Sequence, residues 1–415
     1  MFNLHTGTFS NFQIGRIFRS SFSSKKLFIM PTKASYNREI LKWARTSARV
    51  SLEKAAKTIS KSTTSEKIKE WESLESKEAP SLAQLKKLAR LYRRPIEVFS
   101  LPYIPKEFPR LKDFRSNKDE LDTAVIFIMR EIQEKQEWLS NYYRKSKGGK
   151  LPFAGKYNIK HDPAVVAADI RKSLGISLKE KPDKPLKYWI TKAEEKRIFI
   201  ALSSNFHTRL KLDSDIFKGF AIADSFAPFI FLNSDDWDQG QLFTLVHELA
   251  HIWIGVSGIS NDTGMIIQPS GLHPVEKFCN EVALHALLPE EDVKSLMPEK
   301  GIPEFKNVVK AARRLGISNR NMVLRLKTIS LIEKHEELLK AADEAWKEFL
   351  DKEARKPKSS GGPNYYVMVL RRNSRSFATV VMDNYKRGRI PGDVASRLLN
   401  VREANFGKLE TYVYK

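Results

Sequence analysis

Two histidines and a glutamate within an apolar segment have the spacing of a metal site. The chain reads His247-Glu248-Leu249-Ala250-His251, and residues four apart in an α-helix lie on one face. Two imidazoles on one face can bind a single Zn²⁺, and the glutamate beside them can take a proton from water. The flanking residues are apolar, so we expect a buried helix. The alternative is a buried helix with two hydrogen-bonded histidines and no metal.

A second predicted helix could supply the third ligand. Pro274 fits its first turn and Pro289 ends it. Glu276 lies on a face that otherwise carries small and apolar residues, which is unusual for a core face and typical of a metal ligand. Asn280 follows one turn later, where its side chain could orient a ligand imidazole.

Other residues of this region could complete the site instead. His273 lies just before the second helix, whereas Glu281 and His285 lie on other faces of it. Cys279 could bind zinc, although a single buried cysteine is more often a small apolar packing residue. Two histidines and one carboxylate suit Zn²⁺, with Mn²⁺ as the alternative.

Three short β-rich segments precede the motif, at 197–202, 219–222 and 228–233. Strands directly before such a helix would give an exposed sheet edge beside the metal, on which an extended peptide can pair as an added strand. The sequence therefore predicts a small mixed sheet that packs on the metal helix, in a domain spanning 196–355.

Short helices are predicted throughout residues 31–103. Their boundaries follow from N-cap residues such as Ser51 and from apolar residues at helical spacing. The second and third helices, separated by a tight turn, have the helix-turn-helix arrangement inside a five-helix bundle. Residues around the start of the third helix could reach bases or phosphates: Ser62, Thr63, Thr64, Ser65, Lys67 and Lys69. Glutamates accompany them, so a bundle used only for protein contacts or dimerisation is the alternative.

The composition limits the classes of function. A chain of 415 residues can form two or three domains with cores of their own. Its 72 basic and 49 acidic residues give a net charge of +23, which favours contact with polyanions, nucleic acid first. The single cysteine excludes a disulfide within the chain and suits a reducing compartment. The sequence contains no apolar run of about 18 residues, which a membrane-spanning helix would need. We therefore expect a cytoplasmic protein with no membrane partner.

The remaining segments carry no chemical constellation. Residues 1–30 contain no acidic residue, and we expect an unstructured leader or upstream extension rather than a transit peptide. Residues 104–195 are predicted as a helical connector. Residues 356–415 are predicted as a linker and a small basic module, for which a solvated accessory role is favoured over contact with nucleic acid. The expected fold class is α+β, mainly α.

Three segments carry a resemblance to a known family. They are FTLVHELAHIWIG at 243–255, VEKFCNEVALHALLP at 275–289 and FKGFAIADSFAPFIFLN at 217–233. Together they resemble the ImmA/IrrE family of bacterial and phage metallopeptidases. Residues 31–103 resemble the Cro/repressor-type (XRE) helix-turn-helix family, so the whole is similar to the long form of ImmA/IrrE proteins.

The resemblance implies a zincin-like domain that acts as a zinc-dependent endopeptidase and cleaves a DNA-binding repressor. It implies His247, His251 and Glu276 as ligands and Glu248 as the catalytic carboxylate. Lys218 departs from the family, in which an arginine is expected at that position.

Two functions are compatible with these features. The leading one is hydrolysis of a peptide bond in a repressor. The other is a helix-turn-helix regulator, for instance of a toxin–antitoxin system or a mobile element, whose peptidase-like domain binds a partner without cleaving it. The expected partners are DNA, a protein substrate and a second copy of the chain as a homodimer.

Overall fold

The computed structural model of this chain describes residues 36–105, 111–113, 123–146, 148–177, 180, 182–203, 217–260, 272–299, 303–355 and 364–415. The chain divides into two compact units, residues 1–105 and residues 106–415, called here the N-terminal and C-terminal units. The expected leader, 1–30, and the glycine-rich part of the expected linker, 356–363, lie outside the described residues.

The N-terminal unit consists of short helices with strong N-terminal caps. Four α-helices are followed by a 3-10 helix at Ile96–Ser100: α1 (Arg38–Ser47), α2 (Leu52–Ile59), α3 (Ser65–Glu72) and α4 (Leu82–Leu91). Each α-helix begins after a side chain that accepts a backbone N–H, namely Asn37, Ser51, Thr64 and Ser81. α2 begins directly after Ser51, the N-cap residue expected from the sequence. The fifth predicted helix is only a 3-10 turn.

The C-terminal unit contains the other described helices. They are α5 (Thr123–Lys145), α6 (Pro163–Leu174), α7 (Pro185–Glu195), α8 (Asp238–Trp253), α9 (Pro274–Leu287), α10 (Glu290–Leu296), α11 (Phe305–Leu315), α12 (Asn319–Thr328), α13 (Glu336–Arg355), α14 (Tyr365–Asn373), α15 (Arg375–Lys386), α16 (Gly392–Leu399) and α17 (Phe406–Val413). None of the helices in the described ranges is both long and apolar enough to cross a membrane.

A mixed sheet of five described strands lies within this unit. The strands are β1 (Lys112–Asp113), β2 (Phe199–Leu202), β3 (Gly219–Ile222), β4 (Phe229–Leu232) and β5 (Gly258–Ser260), in the order β1-β5-β3-β4-β2. β3 is antiparallel to β4 and β5, whereas the outer pairs are parallel. The expected class, mainly helical with a small mixed sheet, is confirmed. β1 and β5 were not predicted, because strands of two or three residues carry too few side chains to show a period.

Both faces of the sheet are covered. Ile200, Ala221 and Ile230 belong to one core cluster, which includes the apolar residues of α8 and α9. The residues between them in the strands belong to a second cluster, with α5 and the helices after residue 364; examples are Phe199, Phe220, Phe229 and Phe231. Since β2, β3 and β4 are buried throughout, their sequences are apolar without alternation. The C-terminal helices therefore complete the core of this unit.

The C-terminal end of α8 is held by a loop from before α6. Backbone N–H groups of Gly155 and Tyr157 donate to the carbonyls of Ile252 and Trp253, at 2.9 and 3.0 Å. Gly255 ends the helix with φ +68°, and a Cβ at this position would lie 3.1 Å from the Cα of Gly155. Both the left-handed conformation and this close approach require glycine.

Candidate metal centre

Two adjacent helices bring the predicted site residues together. α8 carries His247, Glu248 and His251, and it is buried at every position from Gln241 to Trp253. α9 carries Glu276, and its facing residues Cys279, Ala283 and Ala286 are small and fully buried. Small side chains let two helices approach closely, and the close approach places the Glu276 carboxylate against the two imidazoles.

The converging atoms are mutually close. His247 Nε2 and His251 Nε2 are 3.2 Å apart. Glu276 Oε2 lies 3.1 Å from His247 Nε2, and Glu276 Oε1 lies 3.1 Å from His251 Nε2. These distances join two ring nitrogens and both oxygens of Glu276. Ligand atoms about 2.1 Å from one zinc ion in tetrahedral geometry would be separated by about 3.4 Å. The observed separations therefore fit three ligands of one small cation.

The chemistry of these atoms also fits a cation. All three side chains are almost completely buried, with at most 2% of their surface exposed. Burial raises the pKa of Glu276, but the imidazoles of His247 and His251 together lower it by more. The pKa therefore lies below its ordinary value, at about 2. Glu276 is therefore ionised at neutral pH. A buried carboxylate facing two ring nitrogens is an environment in which positive charge is stabilised.

Asn280 determines which nitrogen of His247 faces the other two side chains. Its Oδ1 lies 2.7 Å from His247 Nδ1, and because an amide oxygen only accepts, Nδ1 is the protonated nitrogen. His247 Nε2 then carries the lone pair that a metal requires. The orienting role predicted for Asn280 requires a contact of this kind.

We expect Asn280→Ala to weaken metal binding by about 10–100-fold, because the His247 ring loses the acceptor that holds its tautomer and orientation. Competition with a zinc-binding dye on the purified full chain measures this loss. Asn280→Asp is the matched variant, since its carboxylate still accepts from Nδ1, and its affinity should remain within about 10-fold of wild type. Unchanged affinity in the alanine variant would show that Asn280 does not orient the ligand.

Cys279 also lies close to the histidines. His247, His251 and Cys279 form a buried group whose potential ligand atoms lie within 4.8 Å of one another. Burial raises the pKa of the Cys279 thiol, and the carboxylates of Glu276 and Glu248 raise it further. The 3.1 Å contacts of the Glu276 oxygens with both imidazoles favour Glu276 over Cys279 as the third ligand.

Glu248 lies against strand β3. A Cβ on Gly219 would be 3.5 Å from Glu248 Oε1, 3.0 Å from Thr244 Cγ2 and 2.7 Å from the Phe231 carbonyl oxygen. Gly219 is therefore needed for this strand to pack against the helix. Sequence reasoning did not identify Gly219, although a glycine inside a strand often marks such a close approach.

The strand beside Glu248 is not a free edge. β3 pairs with β4 on one side and with β5 on the other, with Gly219 opposite Ser260. The prediction of an exposed sheet edge beside the metal is therefore wrong for β3, because β5, which follows the metal helix, pairs along this strand. A short strand is enough to cover this edge, and its sequence alone does not reveal it.

The other candidates of this region have different positions. His273 is exposed, and its Nδ1 accepts the N–H of Val275 as the N-cap of α9. Burial lowers the pKa of His285, which is half-buried.

Lys218 donates to Asp236 Oδ2 at 2.9 Å, just before the start of α8. The lysine that replaces the expected arginine thus holds the segment leading into the metal helix.

The predicted DNA-binding residues lie around the N-terminus of α3. Thr64 Oγ1 accepts the N–H of Lys67 as the N-cap. Ser62 and Thr63 form hydroxyl contacts with Ser60, at 3.0 and 2.8 Å. Lys69 is exposed. Several polar groups of these residues are therefore engaged within the unit, and their contact with DNA stays a prediction.

Comparison with protein families identifies the central part of the C-terminal unit. Residues 197–327 match the model of the IrrE N-terminal-like domain, peptidase family M78. The match runs from just before β2 almost to the end of α12 and includes both metal-site helices. It supports a metallopeptidase-type domain and the ImmA/IrrE family for this part of the chain. No curated protein matches the chain.

Proposed function

We propose that this protein is a zinc-dependent endopeptidase. The observation that carries the proposal is the convergence of His247 Nε2, His251 Nε2 and the Glu276 carboxylate within 3.1–3.2 Å, on two buried helices. Glu248 lies in the same turn of α8 as the two histidines, and the M78 match covers all four residues. A structural core alone would not require this combination of buried polar side chains.

His247, His251 and Glu276 would hold the metal, with Zn²⁺ favoured by this ligand set and Mn²⁺ as the alternative. When bound, zinc polarises the scissile carbonyl and makes a water molecule more acidic. Asn280 keeps the His247 lone pair directed at the site, as its 2.7 Å contact with Nδ1 requires. Glu276 supplies a negative charge that offsets part of the charge of the cation.

Glu248 moves the proton. Its carboxylate accepts a proton from the attacking water as the new carbon–oxygen bond forms. The same proton then passes to the leaving nitrogen as the carbon–nitrogen bond breaks, so that an amine and a carboxylic acid result.

A repressor-type transcription regulator is the proposed substrate. Support comes from the ImmA/IrrE similarity together with the N-terminal helical unit and the net charge of +23, which suit action close to nucleic acid in the cytoplasm. The second candidate is a regulator that binds its partner without cleaving it. Complete burial of Glu248 and His251 favours this candidate, because a peptide must displace part of the protein before it reaches them.

Metal content and cleavage together test the proposed function. We expect the purified full chain to contain about one zinc per molecule. On incubation with DNA-binding repressors encoded by neighbouring genes, one repressor should yield discrete fragments on gels. A chelator should stop the cleavage, and zinc added afterwards should restore it. Stable zinc binding with tight repressor binding and no fragments would support the second candidate instead.

A further inference from the structure

A cluster of aromatic side chains is exposed on the C-terminal unit. The ring centroid of Trp237, which directly precedes α8, lies 5.5 Å from that of Trp346 and 5.1 Å from that of Phe349, both on α13. The rings of Trp346 and Phe349 stack on each other at 5.3 Å. All three side chains, and Leu350 on the same side of α13, are 38–41% exposed. These four residues are called the aromatic patch.

The aromatic patch is a contiguous apolar surface of limited size. Large apolar side chains present about 150–250 Å² each, so the exposed parts of these four amount to about 300 Å². Contiguous apolar surfaces of this size often mark interaction sites. A stable dimer, however, buries about 800 Å² on each copy. The patch is therefore too small to hold a dimer together, and its size suits a few residues of a peptide segment.

The charges beside the aromatic patch are acidic. Asp235 and Asp238 flank Trp237 in the sequence, and both are exposed. Neither forms an ion pair with the residues that the structure describes. Residues 346–355 of α13 contain three basic and three acidic residues and do not offset this charge. In a chain of net charge +23, the surroundings of Trp237 thus have the opposite sign and would attract a basic segment.

The aromatic patch lies at the beginning of the metal helix. Trp237 is the N-cap residue of α8, and His247 follows ten residues later, about 15 Å along the helix axis. An extended peptide covers 15 Å with about five residues. A peptide held at the patch is therefore long enough, after about five further residues, to reach the metal centre.

We propose that the aromatic patch binds a basic, extended segment of the protein substrate at a distance from the scissile bond. A large apolar side chain of this segment packs on Trp346 and Phe349, and a neighbouring Lys or Arg pairs with Asp235 or Asp238. The segment lies at least about five residues from the scissile bond. This inference rests on the proposed endopeptidase function. A DNA-binding substrate suits it, because such proteins are rich in basic residues.

Peptide binding tests the patch independently of cleavage. Three labelled peptides of about twelve residues are compared by fluorescence anisotropy on the full chain carrying Glu248→Gln, which prevents cleavage. One contains Phe between Lys and Arg in a Gly/Ser background, the second has Ala for Phe, and the third has Glu for Lys and Arg. The first should bind at least about 10-fold more tightly than the others. Indistinguishable binding of the three would overturn the proposal.

Variants locate the binding on the surface. In the same Glu248→Gln background, Trp346→Ala/Phe349→Ala should weaken binding of the first peptide by at least about 10-fold. Asp235→Asn/Asp238→Asn should weaken it by about 3-fold at 50 mM salt and by less at 500 mM, because salt screens exposed charges. The matched control is Tyr365→Ala/Val367→Ala, which removes side chains of equal exposure, 41%, from α14 and should leave binding within about 2-fold. Equal losses in the aromatic variant and this control would overturn the proposal.

Cleavage separates this proposal from the endopeptidase function. With a repressor that the wild-type chain cleaves, Trp346→Ala/Phe349→Ala should raise KM by about 10-fold and leave kcat and zinc content within about 2-fold. Selective peptide binding by a chain that cleaves nothing would overturn the endopeptidase function and support the docking site. An unchanged KM would overturn the docking site alone. Loss of a dimer in the patch variant, with peptide binding unchanged, would assign the patch to a second copy and also overturn it.

Discussion

Glu248→Gln is expected to abolish peptide-bond cleavage while the metal stays bound. Glutamine has almost the same shape as glutamate, so the buried packing of Glu248 against Gly219 is retained. The amide cannot accept the proton of the attacking water, and the loss of a general base typically costs 10²–10⁴-fold in rate. Glu248 is not one of the three converging groups, and the metal content should therefore stay at the wild-type level.

Cleavage rate and zinc content are measured on the same preparation, with whichever repressor the wild-type protein cleaves. Glu281→Gln makes the same chemical change on the outer side of α9, where the residue is partly exposed, and it should leave the rate within about 2-fold. A Glu248→Gln protein that still cleaves at more than about a tenth of the wild-type rate would show that Glu248 is not the base.

Glu276→Gln is expected to remove the metal, and Cys279→Ala is expected to keep it. Glutamine replaces an ionised carboxylate, whose oxygens face both imidazoles at 3.1 Å, with a neutral amide. Metal affinity should fall by more than about 100-fold, beyond the loss typical of residues that only orient a ligand. Cys279→Ala removes a thiol that lies beside the histidines but is not one of the three converging groups, so the affinity should remain within about 10-fold.

The two variants decide whether Glu276 or Cys279 is the third ligand beside His247 and His251. Zinc affinity and melting temperature with and without zinc are measured for each, since a ligand that binds only the folded state raises the melting temperature. Zinc should stabilise wild type and Cys279→Ala but not Glu276→Gln. The opposite pattern would assign the third position to Cys279, in agreement with its place in the buried His-His-Cys group.

Much of the local structure follows from the sequence because its causes are local. Side chains at N-cap positions bond N–H groups two or three residues away, which is why the start of α2 after Ser51 was predictable. His247 and His251 share a face because one helical turn separates them. The three longer strands were predictable from their apolar, β-branched and aromatic residues.

Features that depend on distant segments were not predictable. Lys135 in α5 is 2% exposed and pairs with Glu131 at 2.6 Å, although a lysine is normally expected at the surface. β5 covers an edge that was expected to be open. Lys67, a predicted DNA contact, pairs with Glu78, which lies eleven residues further along the chain. Each case depends on which segments meet in three dimensions.

The sequence by itself determined which residues of α8 and α9 could bind a metal, because side-chain chemistry and helical period are properties of the chain. It favoured Glu276 as the third ligand and left His273 and Cys279 as alternatives. Only the tertiary structure decided how α8 and α9 approach each other, and this approach brings the Glu276 oxygens to 3.1 Å from the two ring nitrogens. The side-chain packing between two helices sets that distance, and residues far apart in the sequence determine the packing.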